Sequence, residues 1–448
     1  MPNHRTRRLA VALPITLAAA CVHAAALAGP VEVEQAVGRD YDGHLAALFE
    51  TLHRNPELSF LEVQTAARMA TELRAAGLEV TEGVGGTGVV GVLRNGDGPL
   101  ILLRADMDAL PLRELSGLPY ASRVVQTGRD GQEQPVMHAC GHDAHMTSLV
   151  GTARQLAALR GEWRGTLMFV AQPAEETGGG ALAMLQDGLF DRFGRPDYAL
   201  AYHAAAGMPT GTIAASEGIQ ASSADSVDIE VPGIGTHGAS PDQGRDPVYI
   251  AAQIVVALQG IDSREVAPLA PVVVTVGSFH AGSKHNIIPD SAHLQLTVRA
   301  NDEGVRAQAL AAIERIAINT GRALGLPEDR LPQVTRSEGT PVTANDPALA
   351  RRLNTALGAA LGQNAVVPFA QTNMAAEDFS QFVSATTGVP GYYFNVGATA
   401  PADIAAAANG GPRVAGHHSP LFRIAPRDTI TLGTRAMVAA VLELAPAS

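Results

Sequence analysis

Three apolar runs in the first half of this chain stop abruptly at ionisable residues. Leu100 to Arg104 runs into Asp106, Thr166 to Gln172 into Glu175 and Glu176, and Tyr198 to Tyr202 into His203. An unbroken apolar run of this kind is how a parallel strand buried on both faces reads. In an open α/β sheet, ligands bind beyond the carboxyl ends of the strands. The pattern therefore predicts an α/β fold whose mixed sheet carries helices on both faces and gathers acids and a histidine at one edge. Helical spacing from Val33 to Leu52, Val63 to Ala76 and Ala144 to Leu159 supplies covering helices, and Gly86 to Leu93 a further strand.

The rhythm changes near Ser226. Val227, Ile229 and Val231 alternate with polar residues, as do the runs Val272 to Phe279 and His293 to Arg299. Alternation marks strands with one wet face. Helical patterns at Asp246 to Leu258 and Val305 to Leu324 complete an α+β sandwich. A helix at Pro347 to Leu361, a strand near Tyr392 to Val396 and a helix from Arg427 to Leu444 then return to the first unit. The chain has 448 residues, more than one ordinary core organises. The expected division is a leader at 1–28, a discontinuous catalytic domain at 29–221 and 337–448, and an inserted domain at 222–336.

The leader expectation rests on basic residues from His4 to Arg8, an apolar run from Leu9 to Ala20 and a small-residue exit at Ala26 to Ala28. That run is shorter than the ~20 residues a membrane span needs. Lipid modification of Cys21 is a competing reading, but no leucine stands three residues before it. Cleavage near Ala28 would deliver a secreted, periplasmic protein. The formal charge is −12, and removing Arg5, Arg7 and Arg8 makes the mature chain about −15. An acidic surface argues against nucleic acid and anionic membrane as natural partners.

The segment Met137-His-Ala-Cys-Gly-His-Asp-Ala-His145 packs a thiol, three imidazoles and a carboxylate into nine residues. With the leader removed, Cys140 is the sole cysteine, so it forms no disulfide within the chain. Thiolate and imidazole together suit a borderline divalent cation. Cys140 and His142 precede or open a helix, a position expected to lower the thiol pKa. Buried structural cysteine is the bland alternative. Of the adjacent acids Glu175 and Glu176, one can bind metal while the other takes a proton from an activated water and hands it to a leaving nitrogen. A solvated acidic pair explains them equally well in isolation. His203, and one of His417 and His418, are further ligand candidates. The Asp106-Met-Asp108 pair can orient such groups or merely end a strand.

Taken together, these residues match a family pattern. Leu103-Arg-Ala-Asp-Met-Asp-Ala-Leu-Pro111, the Met137–His145 segment, Gln172-Pro-Ala-Glu-Glu176 and His418-Ser-Pro420 resemble the M20 metallopeptidase superfamily. The branch is that of hippurate hydrolase, N-acyl amino acid amidohydrolases and indole-acetyl-amino-acid hydrolases. Leu52-His-Arg-Asn-Pro-Glu-Leu-Ser-Phe60, Gly235-Thr-His-Gly-Ala-Ser-Pro241 and Asn286-Ile-Ile-Pro-Asp290 fit the same branch.

The resemblance implies two divalent ions per subunit, zinc, manganese, cobalt or nickel, held by Cys140, His142, Glu176, His203 and His418. It implies Glu175 as general base and acid, with Asp108 orienting, and His237 as donor to the developing oxyanion. Asn286 and Arg299 would touch the substrate, a small N-acyl amino acid. The inserted domain would act as a lid and form a homodimer, and whether His237 serves its own site or its partner's is open. His285 stands where many relatives carry an aromatic residue, and Ala204 to Ala206 lack bulk common after the histidine. Both departures bear on the acyl pocket. Two other functions compete: an amidase with Cys140 as nucleophile, and a periplasmic binding protein without catalysis.

Overall fold

A computed structural model describes residues 30–447, so the leader expected at 1–28 lies outside the described residues. The larger sheet has seven strands in the spatial order Glu79–Val84, Gly88–Asn95, Gly165–Gln172, Leu100–Asp106, Tyr198–Pro209, Gly391–Thr399 and Ile213–Ala214. The middle four are mutually parallel, and the outer pairings are antiparallel. Helices cover both faces, as the apolar runs require. Val63–Ala75, His142–Ala158 and Pro426–Leu444 pack on one face around Phe49, Trp163 and Phe394. Gly180–Gln186 and Ser380–Val383 pack on the other, around Met184 and Phe379. The long N-terminal helix is interrupted by a π-turn at Tyr41–Leu45 between Pro30–Asp40 and Ala46–Arg54. No helix among the described residues is long and apolar enough to cross a membrane.

The second sheet has four antiparallel strands in the order Val272–Ala281, Ser291–Ala300, Ser223–Pro232, Gln333–Thr340. Its core is separate. Val227, Ile229, Val231, Leu294, Leu296 and Val298 face the helices Pro247–Leu258 and Glu303–Ala323. Asp246 and Asp302 cap these helices by accepting from Val248 N–H and Val305 N–H. The fourth strand, Gln333–Thr340, extends past residue 336. Its sequence, QVTRSEGT, has no apolar rhythm because it lies at the sheet edge.

One register detail opens the crevice. Leu100–Asp106 pairs with the Tyr198–Pro209 strand only from Ile101↔Tyr198 to Arg104↔Ala201. Beyond Ala201 that strand continues against Gly391–Thr399 alone. His203 was expected to close a strand; it lies inside one, two residues past the last pair with Leu100–Asp106, where that side is free.

Candidate functional site

The strand ends, the Cys140 loop and the His417–His418 loop meet at one place. His142 donates from Nδ1 to the backbone oxygen of Asp108 at 2.8 Å, which leaves Nε2 turned toward Glu175 and Glu176. His203 is fixed in the same way, with Nδ1 2.9 Å from the backbone oxygen of Ala204 and Nε2 3.4 Å from Cys140 Sγ. Burial and the neighbouring His145 and His417 hold the His203 pKa well below the ordinary value, so it is neutral. His418 is anchored by its backbone N–H to Ala139 oxygen, and its Nε2 lies 3.3 Å from Glu176 Oε2.

Two buried atoms here have no hydrogen-bond partner, His142 Nε2 and Glu176 Oε1. They stand 3.9 Å apart. Buried polar atoms are nearly always satisfied, so an unsatisfied pair facing each other points to a missing ligand. Two donors of one tetrahedral cation stand roughly 3.3–3.8 Å apart, given metal–ligand distances of about 2.0–2.3 Å. The separations of 3.3 and 3.4 Å fit that spacing, and 3.9 Å lies just beyond it. Ligand atoms of Cys140, His142 and His203 lie within 4.8 Å of one another, as do those of Cys140, Glu176 and His418. Soft sulfur, neutral imidazole and carboxylate form a donor set for divalent transition ions.

Burial pushes the Cys140 thiol well above its usual value, and the Glu176 charge adds to this. The expectation of a helix-lowered thiol is therefore corrected: Gly141, at φ 94°, separates Cys140 from the helix, and desolvation dominates. A bound cation would deprotonate the thiol outright.

The turn after Gly165–Gln172 presents the two glutamates. Glu175 N–H and Glu176 N–H donate to Asp108 Oδ1 and Oδ2, each at 3.0 Å. Burial alone would raise the Asp108 carboxyl, but hydrogen bonds from His142, Ser59 and Glu176 N–H hold it below the usual range. Glu175 Oε2 reaches to 3.8 Å from His142 Nε2. Burial, with the charges of Glu377, Glu176 and Asp378, pushes Glu175 well above the carboxylate range. A carboxyl so placed can hold a proton near neutrality.

Sequence reasoning missed the groups beneath this turn. Arg104 is buried and binds Gln172 Oε1 at 2.8 Å, Asp106 Oδ2 at 2.7 Å, Glu377 Oε1 at 2.8 Å and Asp378 Oδ1 at 3.0 Å. Tyr393 donates to Glu377 Oε2 at 2.5 Å. A charged residue closing an apolar run and the adjacent acids Glu377-Asp378 were the available signals. His145, inside the motif, is fully used: Nδ1 donates to Asp106 Oδ1 and Nε2 accepts from Ala204 N–H.

A cleft of about 1050 Å³ covers the site. Cys140, Glu175, Glu176, His203 and His418 line it. Asp225, Thr297 and Arg299 of the four-stranded sheet also line it, with the loop Val367 to Asn373. Burial holds Arg299 below its ordinary pKa. His237 and Asn286 do not line this cleft. They sit on a small ribbon, Thr236–His237 against Ile287–Ile288, where His237 is exposed and Gly238 N–H donates to Asn286 oxygen at 2.9 Å.

The sequence profile of peptidase family M20/M25/M40 matches residues 102–411. Hippurate hydrolase of Campylobacter jejuni is 42% identical over 311 residues, covering 68% of this chain and 76% of the relative. Thermostable carboxypeptidase 2 of Saccharolobus solfataricus is 37% identical over 351 residues, covering 77% and 84%. Among solved structures, the YXEP protein of Bacillus subtilis, described as a dinuclear metal binding peptidase from the M20 family, superposes with a TM-score of 0.71. It is 28% identical, and the match covers 91% of this chain and 99% of that one.

Proposed function

This chain belongs to peptidase family M20/M25/M40, as a metal-dependent amidohydrolase, and on that premise we propose that it cleaves the amide bond of small N-acyl amino acids or similar conjugates at a two-ion centre. The observation that carries this is the pair of buried, unpartnered donors, His142 Nε2 and Glu176 Oε1, facing each other beside Cys140, His203 and His418. Those five residues would hold two divalent ions. The ions would supply Lewis acidity, lowering the pKa of water and polarising the scissile carbonyl.

The chain's own groups do the rest. Glu175 Oε2 takes a proton from the attacking water and returns it to the departing nitrogen. Asp108 fixes both glutamates through their backbone N–H groups. Arg299, which lines the cleft from the four-stranded sheet, contacts the substrate carboxylate. His237 hydrogen-bonds the oxygen as it gains charge, with Asn286 beside it. Either a closing motion of the inserted unit or a second copy of the chain brings His237 to the cleft. A homodimer through that unit is supported by its free edge strand Val272–Ala281, where Val273 and Phe279 are exposed, and by exposed Tyr249 and Val256 on the neighbouring helix. Export to the periplasm is proposed from the leader sequence.

A nucleophilic Cys140 is the weaker reading, because its thiol is buried and pushed up. The test is a hydrolysis screen of N-acetyl, N-benzoyl and indole-acetyl amino acids with and without a chelator. Turnover silenced by chelation and restored by added metal is expected. Turnover indifferent to chelation, yet abolished by thiol alkylation, would replace this reading with the cysteine one.

A further inference from the structure

The stretch Leu52 to Phe60 touches the site described above only through Ser59, and it leads directly to a fully buried acid, Glu62. Glu62 Oε1 accepts two backbone N–H groups, from Phe60 at 2.9 Å and from Ala174 at 2.8 Å. Its Oε2 accepts from Thr87 Oγ at 2.5 Å. Ala174 is the residue before Glu175, and its φ of 51° lies in the left-handed region that residues with a Cβ rarely adopt. It is wholly buried, so without Glu62 its N–H would have neither water nor partner.

The same loop also braces the neighbouring contact. Ser59 Oγ donates to Asp108 Oδ2 at 2.6 Å, and Asp108 in turn receives the N–H groups of Glu175 and Glu176. Three consecutive amides, 174 to 176, thus end on two buried carboxylates that the Ser59–Glu62 segment ties down. The turn has little room to shift another way: a Cβ on Gly180 would meet Pro173 oxygen at 1.6 Å.

We infer that Glu62 is a positioning residue, which holds Ala174 in its left-handed conformation and thereby aims Glu175 at the substrate and Glu176 at the ions. The inference rests on the roles proposed for those two glutamates. It requires an acceptor oxygen at position 62 and not a negative charge. Glutamine keeps the acceptor, and its amide can donate to Thr87; methionine fills the space without accepting.

The experiment compares Glu62→Met and Glu62→Gln with the parent in two readouts. The first is cobalt titrated into the metal-free chain. The second is kcat and KM on whichever N-acyl amino acid the parent hydrolyses. Misaiming reacting groups by a fraction of an ångström costs rate more than ground-state binding, so Glu62→Met is expected to lose at least about tenfold in kcat with KM within about twofold. It is also expected to bind cobalt at least about tenfold more weakly, because a ligand is displaced. Glu62→Gln stays within about threefold of the parent in both. Parent-like behaviour of a folded Glu62→Met overturns the inference, and so does a Glu62→Gln as damaged as Glu62→Met. If Glu62→Met does not fold, Glu62→Gln decides alone, and a loss beyond about threefold overturns the inference. A parent that cleaves no N-acyl amino acid defeats the proposed substrate, and the cobalt titration still decides Glu62. A parent that binds no cobalt removes both.

Discussion

At the scale of single residues, the site is defined by what its atoms lack. His142 and His203 both spend Nδ1 on a backbone carbonyl, which commits each Nε2 to the crevice. Glu175 is adjacent to a ligand candidate but is proposed for a different role, so replacing it with alanine should abolish turnover and leave the bound metal unchanged; elemental analysis beside the activity assay checks both halves. Arg104 is a different case. Its guanidinium offsets Asp106, Glu377 and Asp378 in a dry interior. Arg104→Met should destabilise the chain by about 3–5 kcal/mol, because the partner charges stay buried and uncompensated. Urea unfolding measures this, and a change below about 1 kcal/mol would show that the acids simply take up protons. Cys140, Glu175 and His418 were legible in the sequence because unusual chemistry is concentrated around each. Arg104 was not, since its meaning depends on Glu377 and Asp378, more than 270 positions away.

At the scale of elements, the parallel strands were readable because burial on both faces leaves an unbroken apolar run. Leu100–Asp106 and Gly165–Gln172 are buried along almost their whole length. Strands with exposed faces lack that signal. Glu79–Val84 and Gln333–Thr340 lie at sheet edges, and both were missed for that reason. The extent of Tyr198–Pro209 was missed because its second half is partly exposed and alanine-rich. The helix Gly180–Gln186 starts where Pro173 oxygen allows no side chain. Gly180→Ala should therefore push the Pro173–Glu176 turn out of place, with a stability loss of roughly 1–3 kcal/mol and a larger proportional loss of kcat. Thermal unfolding and kinetics on the same preparation test this; unchanged kcat would mean that the turn yields without moving Glu175.

At the scale of the whole molecule, the larger unit and the four-stranded unit each have their own hydrophobic packing, and residues of both line one cleft. The four-stranded unit contributes Arg299 to that cleft and carries His237 outside it. Interval and periodicity announced a second unit, but no sequence pattern states how the two faces meet. Because His237 is exposed and bonded only locally, His237→Ala should leave the melting temperature unchanged. It should lower kcat by about 10²–10³, the usual cost of removing one oxyanion donor. An unaltered kcat would remove His237 from the reaction.

The proposed two-ion centre would draw its donors from four separate chain segments. Its most direct test is metal content of the purified chain, by elemental analysis of the parent and of Cys140→Ala, combined with anomalous diffraction at the absorption edge of the metal found. Two ions per chain are expected in the parent, with anomalous peaks among Cys140, His142, Glu176, His203 and His418, and fewer ions in the variant. A parent saturated with metal that shows no peak within bonding distance of Cys140 Sγ and His142 Nε2 would contradict the account.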